Sequence, residues 1–109
     1  MIIKFGSSKL ENLCLDKEKA RKKYGKNIAK KLIMRLNQLQ AFENLMQVPH
    51  KPPFRRHKLK GEYEGCFAVV IEGGFRLIFK PIIEDNSNDN TDLKKVKKIL
   101  ILEVKDYHD

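Results

Sequence analysis

Two adjacent glycines, Gly73 and Gly74, divide the apolar half of the stretch Phe54 to Lys80, FRRHKLKGEYEGCFAVVIEGGFRLIFK. A two-residue glycine turn between β-branched and aromatic runs dictates a tight hairpin. Such turns need positive φ, which glycine adopts without a Cβ clash. The hairpin strands are then Cys66 to Ile71 and Phe75 to Lys80, preceded by a short basic strand from Arg55 to Lys60 that ends at Gly61. Regular pairing across the turn sets Glu72 opposite Phe75, Ile71 opposite Arg76, Val70 opposite Leu77 and Val69 opposite Ile78. Alternation predicts a core face of Cys66, Ala68, Val70, Leu77 and Phe79, with Val69, Ile71, Arg76, Ile78 and Lys80 on the other. An arginine on a strand usually snorkels from a wet sheet face. Arg76 shares its face with further cations, which also fits an anion site.

A chain of 109 residues suits a single domain, 1–109, with a modest core. MIIKFGSSKL at the N-terminus lacks the apolar run of a signal peptide, and no segment approaches the roughly 20 apolar residues of a membrane span. The expectation is a soluble, cytoplasmic protein without membrane contact. Cys14 and Cys66 lie far apart and outside any Cys-x-x-Cys pair, so both are expected as buried, reduced thiols. The net charge is +9, and four of the 14 acids (Glu84, Asp85, Asp89, Asp92) fall in one polar insert at 84–92. The remainder is more cationic still, which favours a polyanionic partner, nucleic acid first and an acidic protein second. Nucleotide bias is another source of a Lys- and Asn-rich composition.

The other elements follow in order. Met1 to Phe5 reads as a short edge strand. Ser7 and Ser8 offer a helix cap, Ser8 with Glu11 forming a capping box, and a helix runs to about Leu15. Asp16 to Lys23 is either a second helical segment or a loose connection, broken at Gly25. Lys26 to Val48 is the clearest helix, with Ile28, Ala29, Leu32, Ile33, Leu36, Leu39 and Met46 at three- and four-residue spacing. Lys26, Lys30, Lys31 and Arg35 gather away from that stripe, as a solvated face or as part of a nucleic-acid surface. Pro49 to Pro53 is a rigid connector. IIEDNSNDNTD has the composition of a mobile loop. A last strand spans Val96 to Tyr107, with Leu100, Leu102 and Val104 facing the core and Ile99, Ile101, Glu103, Lys105 and Tyr107 facing away. The fold class is therefore α+β: N-terminal helices on a small, twisted, mostly antiparallel sheet.

Polar groups with chemical potential collect at Arg56, His57, Lys58 and Lys60, and again at Asp106, Tyr107, His108 and Asp109. The motif His-x-Leu-Lys-Gly at 57–61, the strand Phe-Arg-Leu-Ile-Phe at 75–79 and Asp-Tyr-His at 106–108, in this order, resemble the HigB branch of the RelE/ParE toxin superfamily. The resemblance runs along the whole chain. It implies a RelE-like fold and the toxin of a type II toxin–antitoxin pair, a metal-independent endoribonuclease that cuts messenger RNA on the ribosome. It implies a cognate helix-turn-helix antitoxin as partner, operator DNA contacted only through that antitoxin, and no cofactor. His57, Asp106, Tyr107 and His108 match the family's catalytic positions, and Lys60 and Arg76 match basic positions suited to the scissile phosphate. Arg56, Lys58, Lys30 and Arg35 complete the expected RNA-binding set.

The chain departs from the family in having Phe75 where a Trp is usual, and in the longer insert at 84–92. Strand parity, moreover, puts His57 beside Leu59 on the core side, away from Arg76, unless a bulge turns it. His50, in the connector, reads as a surface residue, and three dispersed His without paired Cys make no zinc site. The chemistry needs no metal. RNA brings its own 2′-hydroxyl nucleophile, and the enzyme adds a base, an acid and positive charge for the phosphorane. His57 and His108 suit acid–base work near neutral pH, Asp106 orients or assists, and Tyr107 stacks on a base or donates to phosphate. The sequence leaves open which group is acid and which is base. The alternative is a non-catalytic RelE-fold module that binds nucleic acid or protein; relatives acting on gyrase generally lack the terminal Asp-Tyr-His.

Overall fold

The computed structural model describes residues 1–83 and 92–106. In chain order come β1 (Ile2–Phe5), α1 (Ser8–Leu15), α2 (Lys17–Tyr24), α3 (Lys26–Ala41), β2 (His57–Lys58), β3 (Phe67–Glu72), β4 (Phe75–Pro81) and β5 (Lys98–Asp106). The five strands form one sheet in the order β1-β5-β4-β3-β2. β1 pairs with β5 in parallel, and the other three pairings are antiparallel. The helices pack on one face, where Leu32, Leu36 and Leu39 of α3 meet Val69, Ile71, Leu77, Phe79, Ile99 and Ile101. Among the described residues, the opposite face carries a small cluster, Cys66, Ala68 and Ile78, under Leu59, Tyr63 and Leu102. The expected α+β architecture is the observed one. No helix among the described residues is long and apolar enough to cross a membrane.

Local chemistry explains the helix boundaries. Ser7, not Ser8, caps α1: its hydroxyl accepts from the Leu10 amide at 3.1 Å, so the expected Ser8–Glu11 box does not form. Asp16 ends α1 and caps α2, accepting from the Glu18 and Lys19 amides at 3.0 and 3.2 Å. This makes the charged segment a true helix. α3 stops at Ala41 instead of Val48. Phe42 turns to extended backbone and packs edge-on against Phe54 at 5.4 Å. A 3-10 turn at Leu45–Gln47 then buries Leu45 and leaves Met46 exposed. Both Cys14 and Cys66 are buried, free thiols.

The sheet departs from regular pairing twice. The Gly73–Gly74 turn forms, with Gly73 at φ 58° and Glu72 opposite Phe75. Ile71 has no partner, however, and beyond it Val70 pairs with Arg76, Val69 with Leu77 and Ala68 with Ile78. One unpaired residue inverts the sidedness of everything past it. β3 therefore turns Phe67, Val69 and Ile71 to the helices, and Cys66 and Ala68 away, the reverse of the alternation expected. β4 keeps its expected faces. In β5 a second shift between Ile78 and Phe79 leaves Leu102 unpaired. Ile99, Ile101 and Val104 face the helices, and Leu102 does not, so only Val104 of the predicted β5 core set is on the helix side.

Candidate active site

Residues opposite one another on neighbouring strands stand side by side on one face. One row across the open face reads His57, Ala68, Ile78, Glu103, and the next reads Val70, Arg76, Lys105. His57 and Arg76 thus share the open face, against the parity reading that sent His57 to the core. Strand spacing and rise put their Cα atoms roughly 12 Å apart, a gap that a phosphodiester and its flanking sugar can fill. His57 is exposed, and its Nδ1 lies 2.9 Å from the Arg55 carbonyl oxygen. A carbonyl only accepts, so Nδ1 donates, and in the neutral ring Nε2 is left as the basic nitrogen. Arg76 donates from Nη1 to the carbonyls of Gly73 at 2.6 Å and Phe75 at 3.2 Å, folding its guanidinium over the hairpin turn.

Sequence reasoning missed Tyr63. It belongs to a short 3-10 turn, Gly61–Tyr63, flanked by Gly61 at φ 69° and Gly65 at φ 86°. Its hydroxyl donates to Glu103 at 2.5 Å and accepts from the Lys105 ammonium at 3.2 Å, which also sits 5.1 Å from its ring centroid. The Glu103 carboxylate bound to it pushes the phenol's pKa up, opposed by Lys105. Tyr63 thereby links the row of His57 to the row of Arg76. The available signal was an aromatic between two glycines just before the central hairpin. At the β2 end of the sheet, Lys58, Lys60 and Lys80 line a cavity of about 490 Å³ with Phe67, Pro81 and Val96.

Two expected RNA-binding arginines are instead buried. Arg56 is 3% exposed and donates to the Leu45 carbonyl at 2.6 Å and to His50 Nε2 at 2.7 Å. Since guanidinium only donates, His50 Nε2 accepts, and its Nδ1 returns a hydrogen bond to the Arg56 carbonyl at 3.0 Å. Burial pushes the Arg56 pKa down. Arg35 is likewise 3% exposed and donates to the carbonyls of Val70 and Ile71. Each is held inward by backbone carbonyls, which composition cannot reveal. Lys30 stays exposed but lies on the helical layer, lining a shallow groove with Lys17, Arg21 and Lys26, across the sheet from Arg76. Asp106 lies opposite Phe75, whose ring packs toward the helices, so its register position is not on Arg76's row. Tyr107, His108 and the insert at 84–91 lie outside the described residues. Among the described residues, no three side chains of the His, Cys, Asp or Glu type gather where they could hold a metal.

Three helices on one face of a five-stranded, mostly antiparallel open sheet define the RelE/YoeB-like α+β toxin fold. Two structures of the YoeB–YefM toxin–antitoxin complex from Staphylococcus aureus share it, with TM-scores of 0.56 and 0.55 at 19% and 20% identity. Each alignment covers 99% of this chain and 97% of the other. A YoeB/ParE toxin from Agrobacterium tumefaciens matches with a TM-score of 0.57 at 11% identity, over 99% and 100% of the two chains. At such identities the likeness is one of fold. No family model matches the sequence, and no curated protein does.

Proposed function

We propose that this chain is the toxin of a type II toxin–antitoxin system, of the HigB kind, and an endoribonuclease of messenger RNA on the ribosome. The observation that carries the reading is the open sheet face, where His57 and Arg76 stand on adjacent rows with Lys105 beside Arg76. In the proposed reaction a base takes the proton of the 2′-hydroxyl, whose oxygen attacks the adjacent phosphorus. The bond from phosphorus to the 5′-oxygen then breaks, and an acid protonates the leaving oxygen. The products are a 2′,3′-cyclic phosphate and a free 5′-hydroxyl. Arg76, once released from its turn, neutralises the phosphorane with Lys60, while Lys58 holds the flanking backbone. His57 Nε2 is one acid–base group, and His108 is the other, with Asp106 and Tyr107 assigned to the site by the resemblance. A cognate helix-turn-helix antitoxin would cover this face and alone mediate contact with operator DNA. The site of action is the cytoplasm.

One observation favours the second reading, a non-catalytic binding module of the same fold: Asp106 stands opposite Phe75 and off Arg76's row. Induced expression of the wild type beside His108→Gln separates the two. The expected result is growth arrest with cut messengers carrying 2′,3′-cyclic or 3′-phosphate ends, and loss of about 10²–10⁴ in cleavage rate for the variant. Free 3′-hydroxyl ends would exclude the mechanism, and normal growth with intact messengers would favour the module.

A further inference from the structure

We infer that Arg35 is a positioning residue for the open-face site: by holding the carbonyls at the β3 bulge, it sets the side of the sheet on which His57 stands. The inference rests on the nuclease reading for its catalytic consequence, but its structural part stands alone. Bulge-free pairing from the Gly73–Gly74 turn would put Ala68 opposite Phe79, which faces the helices. His57 pairs with Ala68 and would follow it to that side. The unpaired Ile71 moves Ala68 opposite Ile78 instead, and His57 arrives on the face of Arg76. One extra residue thus decides whether the two groups can meet a common ligand.

A bulge leaves carbonyls outside the ladder, and here they point into the helical layer. Arg35 receives them: Nε donates to the Val70 oxygen at 2.7 Å and Nη2 to the Ile71 oxygen at 3.1 Å. Nη1 is held by Gln38 Oε1 at 2.6 Å, and the guanidinium lies 5.0 Å from the Phe54 ring centroid. Phe54 closes the arrangement, its carbonyl accepting from the Val70 amide at 2.8 Å. Both sides of the bulge are therefore tied to α3 and to the connector that delivers His57 into β2. Two adjacent carbonyls match the planar fork of arginine, and a lysine ammonium cannot reproduce it. Nearby Glu72 is the acid whose charge favours the buried cation.

The test follows the register directly, by cross-strand NOEs in isotope-labelled protein, together with the carbethoxylation rate of His57. Wild type should show Val70–Arg76 and Ala68–Ile78 contacts and a reactive His57. Arg35→Gln should lose these in favour of Val70–Leu77 and Ala68–Phe79, with His57 at least tenfold less reactive. Arg35→Lys, which keeps the charge and most of the volume, should show both registers and partial rescue. Deleting Ile71 removes the extra residue, so regular pairing alone then sets Val70 opposite Arg76 and Ala68 opposite Ile78. Arg35→Gln in that background should therefore recover these contacts and a reactive His57, which keeps the question answerable if Arg35→Gln alone does not fold. In cleavage assays kcat should fall at least tenfold with KM little changed, since a misplaced acid–base group acts on the transition state. Wild-type NOEs and His57 reactivity in folded Arg35→Lys or Arg35→Gln would overturn the inference. A switched register in a protein that never cleaved RNA would leave the positioning role standing and remove the nuclease.

Discussion

Cys14 shows how one buried group can govern behaviour at high pH. It is 1% exposed against α3 and the sheet, and burial raises its thiol from the ordinary 9.0 to about 11. The unfolded chain loses this proton first, so the folded state binds more protons between those two values. Its stabilising effect is full below pH 9 and declines as pH rises toward 11. About 2 kcal/mol is at stake by linkage. Thermal melts from pH 8 to 11 should therefore show a falling Tm. Cys14→Ala should start lower, for lack of packing, but lose less over the same interval. Equal slopes would assign the decline to other groups, such as Tyr24, pushed up to about 12 chiefly by burial.

At the scale of elements, α1 offers a sharp test because two serines compete for one role. Ser7 accepts the Leu10 amide, and Ser8 is the first helical residue. Ser7→Ala should cost about 1 kcal/mol, read as a drop in denaturant midpoint, while Ser8→Ala should leave it nearly unchanged. The reverse would restore the Ser8 cap. Ser7 as one of two candidate caps, the apolar stripe of α3 as far as Leu39, the glycine turn and the faces of β4 were legible in the sequence, since each depends on neighbours a few residues away. The Ser8–Glu11 box and the extension of the stripe to Met46 were not realised. The faces of β3 and of most of β5 were not. They depend on two unpaired residues, Ile71 and Leu102, and at Ile71 the unpaired carbonyls are met by an arginine 36 residues earlier in the chain. The same long-range demand concealed Arg35 and Arg56, because a cation is counted as surface until a buried carbonyl is seen to claim it. Tyr63 escaped because its partners, Glu103 and Lys105, arrive from the far end of the chain.

The whole molecule displays its +9 charge unevenly. Lys58 and Lys60 are exposed at the β2 edge, Lys58 opposite the helix-facing Phe67, while Lys17, Arg21, Lys26 and Lys30 lie on the helical layer and Arg56 is inside. Binding of a single-stranded RNA, followed by anisotropy against salt, should distinguish these groups. Lys58→Gln and Lys60→Gln should each flatten the log–log slope by about 0.7. Arg56→Gln should lower Tm and leave that slope intact. A slope changed by Arg56→Gln in folded protein would mean that this side chain reaches the ligand after all.

The parallel pairing of β1 with β5 has a consequence in time. Between Phe5 and Lys98 lie roughly 90 residues, and a ribosome adds about 5–20 residues each second. A freshly made β1 therefore waits roughly 5 to 18 s for its neighbour at that rate. Because β5 lies between β1 and β4, the last strand to emerge fills an inner slot of the sheet. Helices and the glycine hairpin can be in place long before. The face that sets Glu103 and Lys105 beside Ile78 and Arg76 comes into being only once β5 has left the translating ribosome.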